Sequence, residues 1–256
     1  MLALAALAAA PGAAWDQPAG ENPAVFFVAA VDSDGTRPLQ TGTGFFIDPG
    51  GTALTASHVA SVVTRDRAKR LIAVVNREAY AADVVCASRL PYDPTSSVPG
   101  LYSFHAWSRD VAAIKLRPGT DLSLPNGALS WETRDGRQVR APAHTGALPA
   151  FPALPLGKGM RPGDAVTVVG YGAASPAMTQ ERIAGTVREI ERARDGTRVG
   201  VLAFPERSAP GAGFSGAPAI NGAGQVVGLL AWTDADTPDR GYAETSDSLT
   251  PPCGTS

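Results

Sequence analysis

Three short segments carry side chains whose types and neighbours suit nucleophilic chemistry. Leu54-Thr55-Ala56-Ser57-His58-Val59 ends an apolar run in small residues and a histidine. Arg109-Asp110-Val111-Ala112-Ala113-Ile114-Lys115-Leu116 places an aspartate directly before a continuous apolar run. A carboxylate at such a position is buried and needs donors to stay ionised. Gly211-Ala212-Gly213-Phe214-Ser215-Gly216-Ala217-Pro218 sets a serine among glycines, which allow a sharp, partly left-handed backbone with neighbouring N–H groups turned to one point. Each segment alone has an ordinary explanation: a surface histidine, a strand-start cap, a glycine-rich turn. Their conjunction is different. A serine hydroxyl is a poor nucleophile until a base takes its proton. A histidine can do that near neutral pH, and an aspartate fixes its tautomer and stabilises its cation.

The elements that must position these groups are short strands. Val25 to Val28, Thr41 to Asp48 and Thr52 to Leu54 form the first set, hinged at Pro49-Gly50-Gly51. A short helical turn is expected from Ala60 to Val63. Further strands are read at Leu71–Asn76, Ala79–Ala87 and Val111–Leu116, then at Ala165–Tyr171, Ile183–Ile190, Arg198–Phe204, Ala217–Ile220 and Val226–Trp232. The stretch from Arg117 to Gly163 is rich in Pro and Gly and poorly periodic, and reads as a surface loop plus a connection between two halves. This pattern predicts an all-β sandwich or pair of barrels, and no strand–helix alternation supports an α/β fold.

Composition narrows the function classes. The net charge of −2 provides no basic field for nucleic acid or anionic lipid, and no internal apolar run is long enough to cross a bilayer. No stable membrane insertion and no nucleic-acid partner are therefore expected. His58, His105 and His144 are scattered and the two cysteines, Cys86 and Cys253, lie far apart, so no metal-ligand spacing appears. Met1 to Ala14 has the short apolar run and small-residue end of a signal peptide, without a basic start. Export to a secreted or periplasmic location is the expectation, the alternative being an Ala-rich disordered terminus. A Cys86–Cys253 disulfide and two free thiols both remain open. Tyr102, Phe104, His105 and Trp107 are read as a loop anchored by its own aromatics, with shaping of a substrate cleft as the alternative.

The three segments together resemble the chymotrypsin-like (trypsin-fold) serine peptidases, especially compact secreted bacterial members. TASHVA is similar to the family's histidine motif, DVAAIKL to its aspartate strand and GFSGAP to its nucleophile motif. Gly170-Tyr171-Gly172, Val227 to Thr233 and Arg240 to Ala243 resemble later family segments in the right order, so the likeness runs from about Val25 to Ala243. The resemblance implies two six-stranded antiparallel β-barrels with the site in the cleft between them. Expected limits are a first barrel at about 23–117, a connection at about 118–162, a second barrel at about 163–245 and a tail at 246–256. Carried over by position, Ser215 is the nucleophile, His58 the general base and acid, and Asp110 its orienting carboxylate. The backbone N–H groups of Gly213 and Ser215 would form the oxyanion hole.

Departures from the family pattern shape further expectations. Phe214 stands where digestive relatives hold an Asp that pairs with a freed N-terminal amine, and no Ile-Val-Gly-Gly start is present. The oxyanion loop is therefore expected to be held by packing of Phe214, without that type of zymogen switch. Ala209 occupies the position where trypsin-like members carry an Asp, which removes the basis for a Lys/Arg preference. Ala231, Trp232 and Thr233, with Thr245 and Ser246 nearby, suggest a shallow pocket for small or medium apolar side chains. The reading is a serine endopeptidase acting on proteins or peptides through an acyl-enzyme, without cofactor. Two alternatives stand beside it: a catalytically weak or inactive relative that binds proteins, and an esterase-like serine hydrolase. The lack of a final Gly in Gly213-Phe214-Ser215-Gly216-Ala217 argues against an α/β-hydrolase elbow.

Overall fold

The computed structural model describes residues 20–35, 38–66, 69–88, 109–119, 122–132, 138–172, 179–192, 195–205, 208–233, 237 and 239–249. The amino-terminal segment to Ala14, the aromatic cluster Tyr102, Phe104, His105 and Trp107, and Cys253 lie outside the described residues.

The apolar runs form two closed antiparallel barrels of six strands each, as expected. The first contains β1 (Val25–Val31), β2 (Pro38–Phe46), β3 (Thr52–Ala56), β4 (Arg70–Val75), β5 (Glu78–Ala87) and β6 (Val111–Leu116), hydrogen-bonded in the order β1-β2-β3-β6-β5-β4 and closed by β1 against β4. The second contains β9 (Ala165–Gly170), β10 (Glu181–Arg192), β11 (Arg198–Ala203), β12 (Pro218–Ile220), β13 (Val226–Thr233) and β14 (Arg240–Thr245), in the order β10-β11-β14-β13-β12-β9. Closure leaves neither barrel with a free edge, which removes the usual template for strand-on-strand aggregation.

Alternation along β1 shows how the two barrels share a core. All seven of its residues are buried. Phe26, Val28 and Ala30 point into the first barrel with Phe46, Ala53 and Ile114. Val25, Phe27 and Ala29 point the opposite way, into a layer that also contains Val169, Tyr171, Val226 and Leu229 of the second barrel. The two-residue side-chain period thus gives one strand a role in both the barrel interior and the inter-barrel layer. Met160, Val168, Val187, Leu202 and Phe214 fill the second barrel.

The connection is more ordered than its sequence suggests. Within it, β7 (Ala128–Glu132) and β8 (Gln138–Pro142) form a hairpin. Its buried Leu129 joins the inter-barrel layer, and Trp131 stacks on Phe27 at 5.5 Å between ring centroids. Phe151 caps the first barrel, stacked on Phe46 at 4.3 Å. Cys86 on β5 is disulfide-bonded, and the described residues contain no free cysteine.

The helical turn expected at Ala60–Val63 is a longer helix, α1 (Ser57–Arg65). Its N-cap residue, Ala56, offers no capping side chain; burial of Val59, Ala60 and Val62 holds it against the first barrel. Among the described residues no helix is long and apolar enough to cross a membrane.

Candidate active site

His58 is the second residue of α1, immediately after β3, so its backbone is fixed by barrel and helix together. Its N–H donates to Asp110 Oδ1 at 2.8 Å, and its ring Nδ1 lies 2.6 Å from Asp110 Oδ2. One carboxylate thus engages both the backbone and the ring of the same histidine. With Nδ1–H directed at Asp110, Nε2 carries the lone pair. The His58 side chain keeps 12% of its surface exposed, whereas Asp110 keeps 1%. Burial pulls the imidazole toward the neutral form, but the charge and hydrogen bond of Asp110 outweigh it and raise its pKa above the ordinary value.

Asp110 is held in turn by the second barrel. Its N–H donates to Glu244 Oε1 on β14, and its carbonyl accepts from Ser57 N–H at 3.2 Å. The preceding N–H, of Arg109, donates to Asp195 Oδ2 at 2.8 Å, and the Arg109 guanidinium reaches the Ser248 carbonyl. Glu244 is fully buried, and its Oε2 has no hydrogen-bond partner among the described residues. Burial pushes the Glu244 carboxyl up to about 8, with the Asp110 charge adding to the effect and the Asp110 N–H and Arg109 opposing it. Sequence reasoning missed Glu244; an acidic residue between the buried Ala243 and Thr245 is the only signal of it.

Ser215 is the second residue of the latter of two consecutive tight turns. Phe214 N–H donates to the Gly211 carbonyl at 3.3 Å, and Ala217 N–H to the Phe214 carbonyl at 2.8 Å. Gly213 and Gly216 occupy the third position of these turns with φ of 95° and 90°, a conformation that glycine adopts without strain. The loop is pressed onto the first barrel beside His58. A Cβ on Gly216 would run into the Thr43 carbonyl and lie 2.7 Å from Ala56 N. A Cβ on Gly42 would lie 2.8 Å from both the Ser215 carbonyl and the side chain of Val59, the residue after His58. Three sequence-expected residues, His58, Asp110 and Ser215, are therefore brought to one place at the junction of the barrels.

Phe214 is 1% exposed and packs in the second-barrel core, with partly buried Ala209 against the same cluster. Its ring lies over the Gly170-Tyr171-Gly172 segment at the end of β9, so that a Cβ on Gly170 would meet Cδ1 at 2.7 Å. Ala231 is buried at a bulge in β13, between Leu230 and Trp232. Trp232 and Tyr242 are register partners with ring centroids 5.2 Å apart, and Thr233 pairs with Gly241 at the end of the sheet. Thr245 and Ser246 do not join that group. Thr245 pairs with Gly228 at the far end of β14, and Ser246 Oγ donates to the Gly157 carbonyl at 2.8 Å and accepts from Gly159 N–H at 2.7 Å. Thr245 lies four residue steps along extended strand from Gly241, about 13 Å. Ser246–Ser248 is a 3₁₀ turn sewn to the connection, rather than the start of a loose tail.

Two barrels with a histidine–aspartate pair and a glycine-bound serine at their junction define the chymotrypsin-like class. The family model described as a trypsin-like peptidase domain matches residues 42–229, and the chain belongs to that family of peptide-bond hydrolases. Comparison with curated proteins finds no match. Solved structures share the fold. The active form of the Rv3671c protease from M. tuberculosis is 19% identical with a TM-score of 0.55, over 90% of this chain and 78% of that one. Deg5 is 14% identical with a TM-score of 0.56, over 90% and 86%. An HtrA-type protease, an AlgW variant with tripeptide, is 16% identical with a TM-score of 0.57, over 90% of this chain and 58% of that one.

Proposed function

We propose that this protein is a serine endopeptidase that hydrolyses protein or peptide substrates through Ser215, His58 and Asp110. The observation that carries the reading is the doubly hydrogen-bonded His58–Asp110 pair, with the Ser215 loop pressed onto the strand and helix that hold His58. Ser215 Oγ attacks the scissile carbonyl while His58 Nε2 takes its proton. The negative charge on the tetrahedral oxygen faces the N–H groups of Gly213 and Ser215. His58 then protonates the leaving amine, leaving an acyl-enzyme on Ser215. Water repeats the sequence: His58 removes its proton, and the acid product leaves as Ser215 regains a proton. Asp110 stays ionised and stabilises the imidazolium formed in both halves. No cofactor takes part.

Ala209, Ala231, Trp232 and Thr233 form the proposed substrate wall, which suits small or medium apolar side chains. Buried Phe214 holds the nucleophile loop in place of an activation ion pair. The protein is proposed to act after export, in a secreted or periplasmic setting.

Casein turnover by the wild type and Ser215→Ala tests the activity. Cleavage by the wild type alone supports the peptidase. Ester turnover without casein cleavage would make the protein an esterase, and neither activity would make it a binding protein.

A further inference from the structure

Thr43 touches the nucleophile loop at two points while belonging to the other barrel. It lies on β2, fully buried. Its backbone N–H donates to the Ser215 carbonyl at 2.8 Å. Its Oγ1 donates to the Gly213 carbonyl at 2.9 Å and accepts from Tyr171 N–H at 3.0 Å. Its own carbonyl accepts from Thr55 Oγ1 at 2.8 Å. Thr43 therefore has a partner for every polar group it carries, and the partners come from β3, the Gly170-Tyr171-Gly172 segment and the nucleophile loop.

The pattern along Gly213–Gly216 shows what this achieves. The Gly213 and Ser215 carbonyls are taken by Thr43, the Phe214 carbonyl by Ala217 N–H, and Gly216 N–H donates to the Leu230 carbonyl at 2.7 Å. Among the described residues, the N–H groups of Gly213 and Ser215 donate to nothing. Two donors are thus left open on a segment clamped through its carbonyls. Flanking Gly42 makes the approach possible: a Cβ there would lie 2.8 Å from the Ser215 carbonyl.

We propose that Thr43 is a positioning residue for the reaction: its hydroxyl, by binding the Gly213 carbonyl, holds the Gly213 and Ser215 N–H groups aimed at the tetrahedral oxygen. This rests on the serine peptidase reading above. A displacement of such donors by an ångström is enough to lower catalysis by about 100-fold without weakening ground-state binding. Phe214 fixes the loop from the second-barrel side, and Thr43 fixes it from the first.

The test compares Thr43→Val, which keeps the shape and loses the hydroxyl, with Thr43→Ser, which keeps the hydroxyl. Each is measured for kcat and KM on a peptide substrate and for affinity toward a peptide aldehyde that forms a tetrahedral adduct. Thr43→Val is expected to lose about 10- to 100-fold in kcat at unchanged KM, with the same loss in aldehyde affinity. Thr43→Ser is expected to stay within about threefold of wild type, since its hydroxyl preserves the donor. If Thr43→Val does not fold, Thr43→Ala takes its place with the same expectation. A folded hydroxyl-free variant with wild-type kcat, a loss confined to KM, or equal impairment of Thr43→Ser would overturn the proposal. Inactive wild type, or an active Ser215→Ala, would instead overturn the peptidase reading.

Discussion

The backbone N–H of Asp110 donates to the carboxyl of Glu244, so two buried acids from different barrels meet behind the His58 ring. Asp110 is supplied with donors by His58, whereas one Glu244 oxygen has none among the described residues. Burial without a second donor favours the protonated form of Glu244. Arg109 and Asp195, which also face this region, act in opposite directions on Glu244.

Glu244 therefore makes stability depend on pH. Its carboxyl ionises near 4.5 when the chain is unfolded and near 8 when folded. Between those values the folded state holds the extra proton, so stability falls as pH rises. Glu244→Gln lacks this loss. Thermal melting at about pH 5 and about pH 8.5 should show the variant gaining on wild type by an amount on the order of a few kcal/mol. A constant difference across that range would contradict the assignment.

Asp110→Asn removes the charge that raises the His58 pKa and, with its one oxygen kept on the His58 N–H, puts an NH2 donor against Nδ1, which reverses the tautomer. At neutral pH kcat should fall by about 10⁴-fold with KM little changed. In wild type, activity should decline as pH falls through a midpoint above the ordinary 6.5 of histidine, because protonated His58 cannot accept the Ser215 proton. A kcat–pH profile with its acid limb below that value would be inconsistent with the pair.

Gly216 and Gly222 separate local strain from loop tolerance. Gly216 has φ of 90° and its Cβ position is filled by Thr43, Thr55 and Ala56, whereas a Cβ on Gly222 meets nothing within 4 Å. Gly216→Ala should destabilise the fold by more than about 1 kcal/mol and lower activity; Gly222→Ala should change stability by less than about 0.5 kcal/mol. Urea unfolding and casein turnover of both variants check this, with equal behaviour counting against the docking of the loop.

Much of this architecture was legible because its determinants are local. Val111–Leu116 is a strand by its unbroken apolar character, and the glycines around Ser215 announce positive φ. The β7–β8 hairpin was not legible: its strands are short and carry few apolar residues, and Trp131 makes sense only once Phe27 lies opposite it. α1 outgrew its expected turn because barrel burial and the distant Asp110, which accepts its first N–H groups, sustain it in place of a local capping residue. Thr43 and Glu244 escaped for the same reason. A threonine within a strand and a glutamate near its end look ordinary, and their roles come from contacts at sequence separations of 170 and 134. Gly42, beside Thr43, was the available hint of close backbone approach.

The proposed substrate wall of Ala209, Ala231, Trp232 and Thr233 offers no carboxylate to a basic side chain. Profiling with a peptide library should give preferred small or medium apolar residues on the acyl side of the cleaved bond. A dominant Arg or Lys preference would refute that wall.

The assignment of Ser215 as nucleophile is checked by treating the native protein with a fluorophosphonate and mapping the adduct by peptide mass spectrometry. A single adduct on Ser215 is expected, with labelling strongly slowed in His58→Ala and absent in Ser215→Ala. An unlabelled wild-type protein, or an adduct on another residue that survives Ser215→Ala, would contradict it.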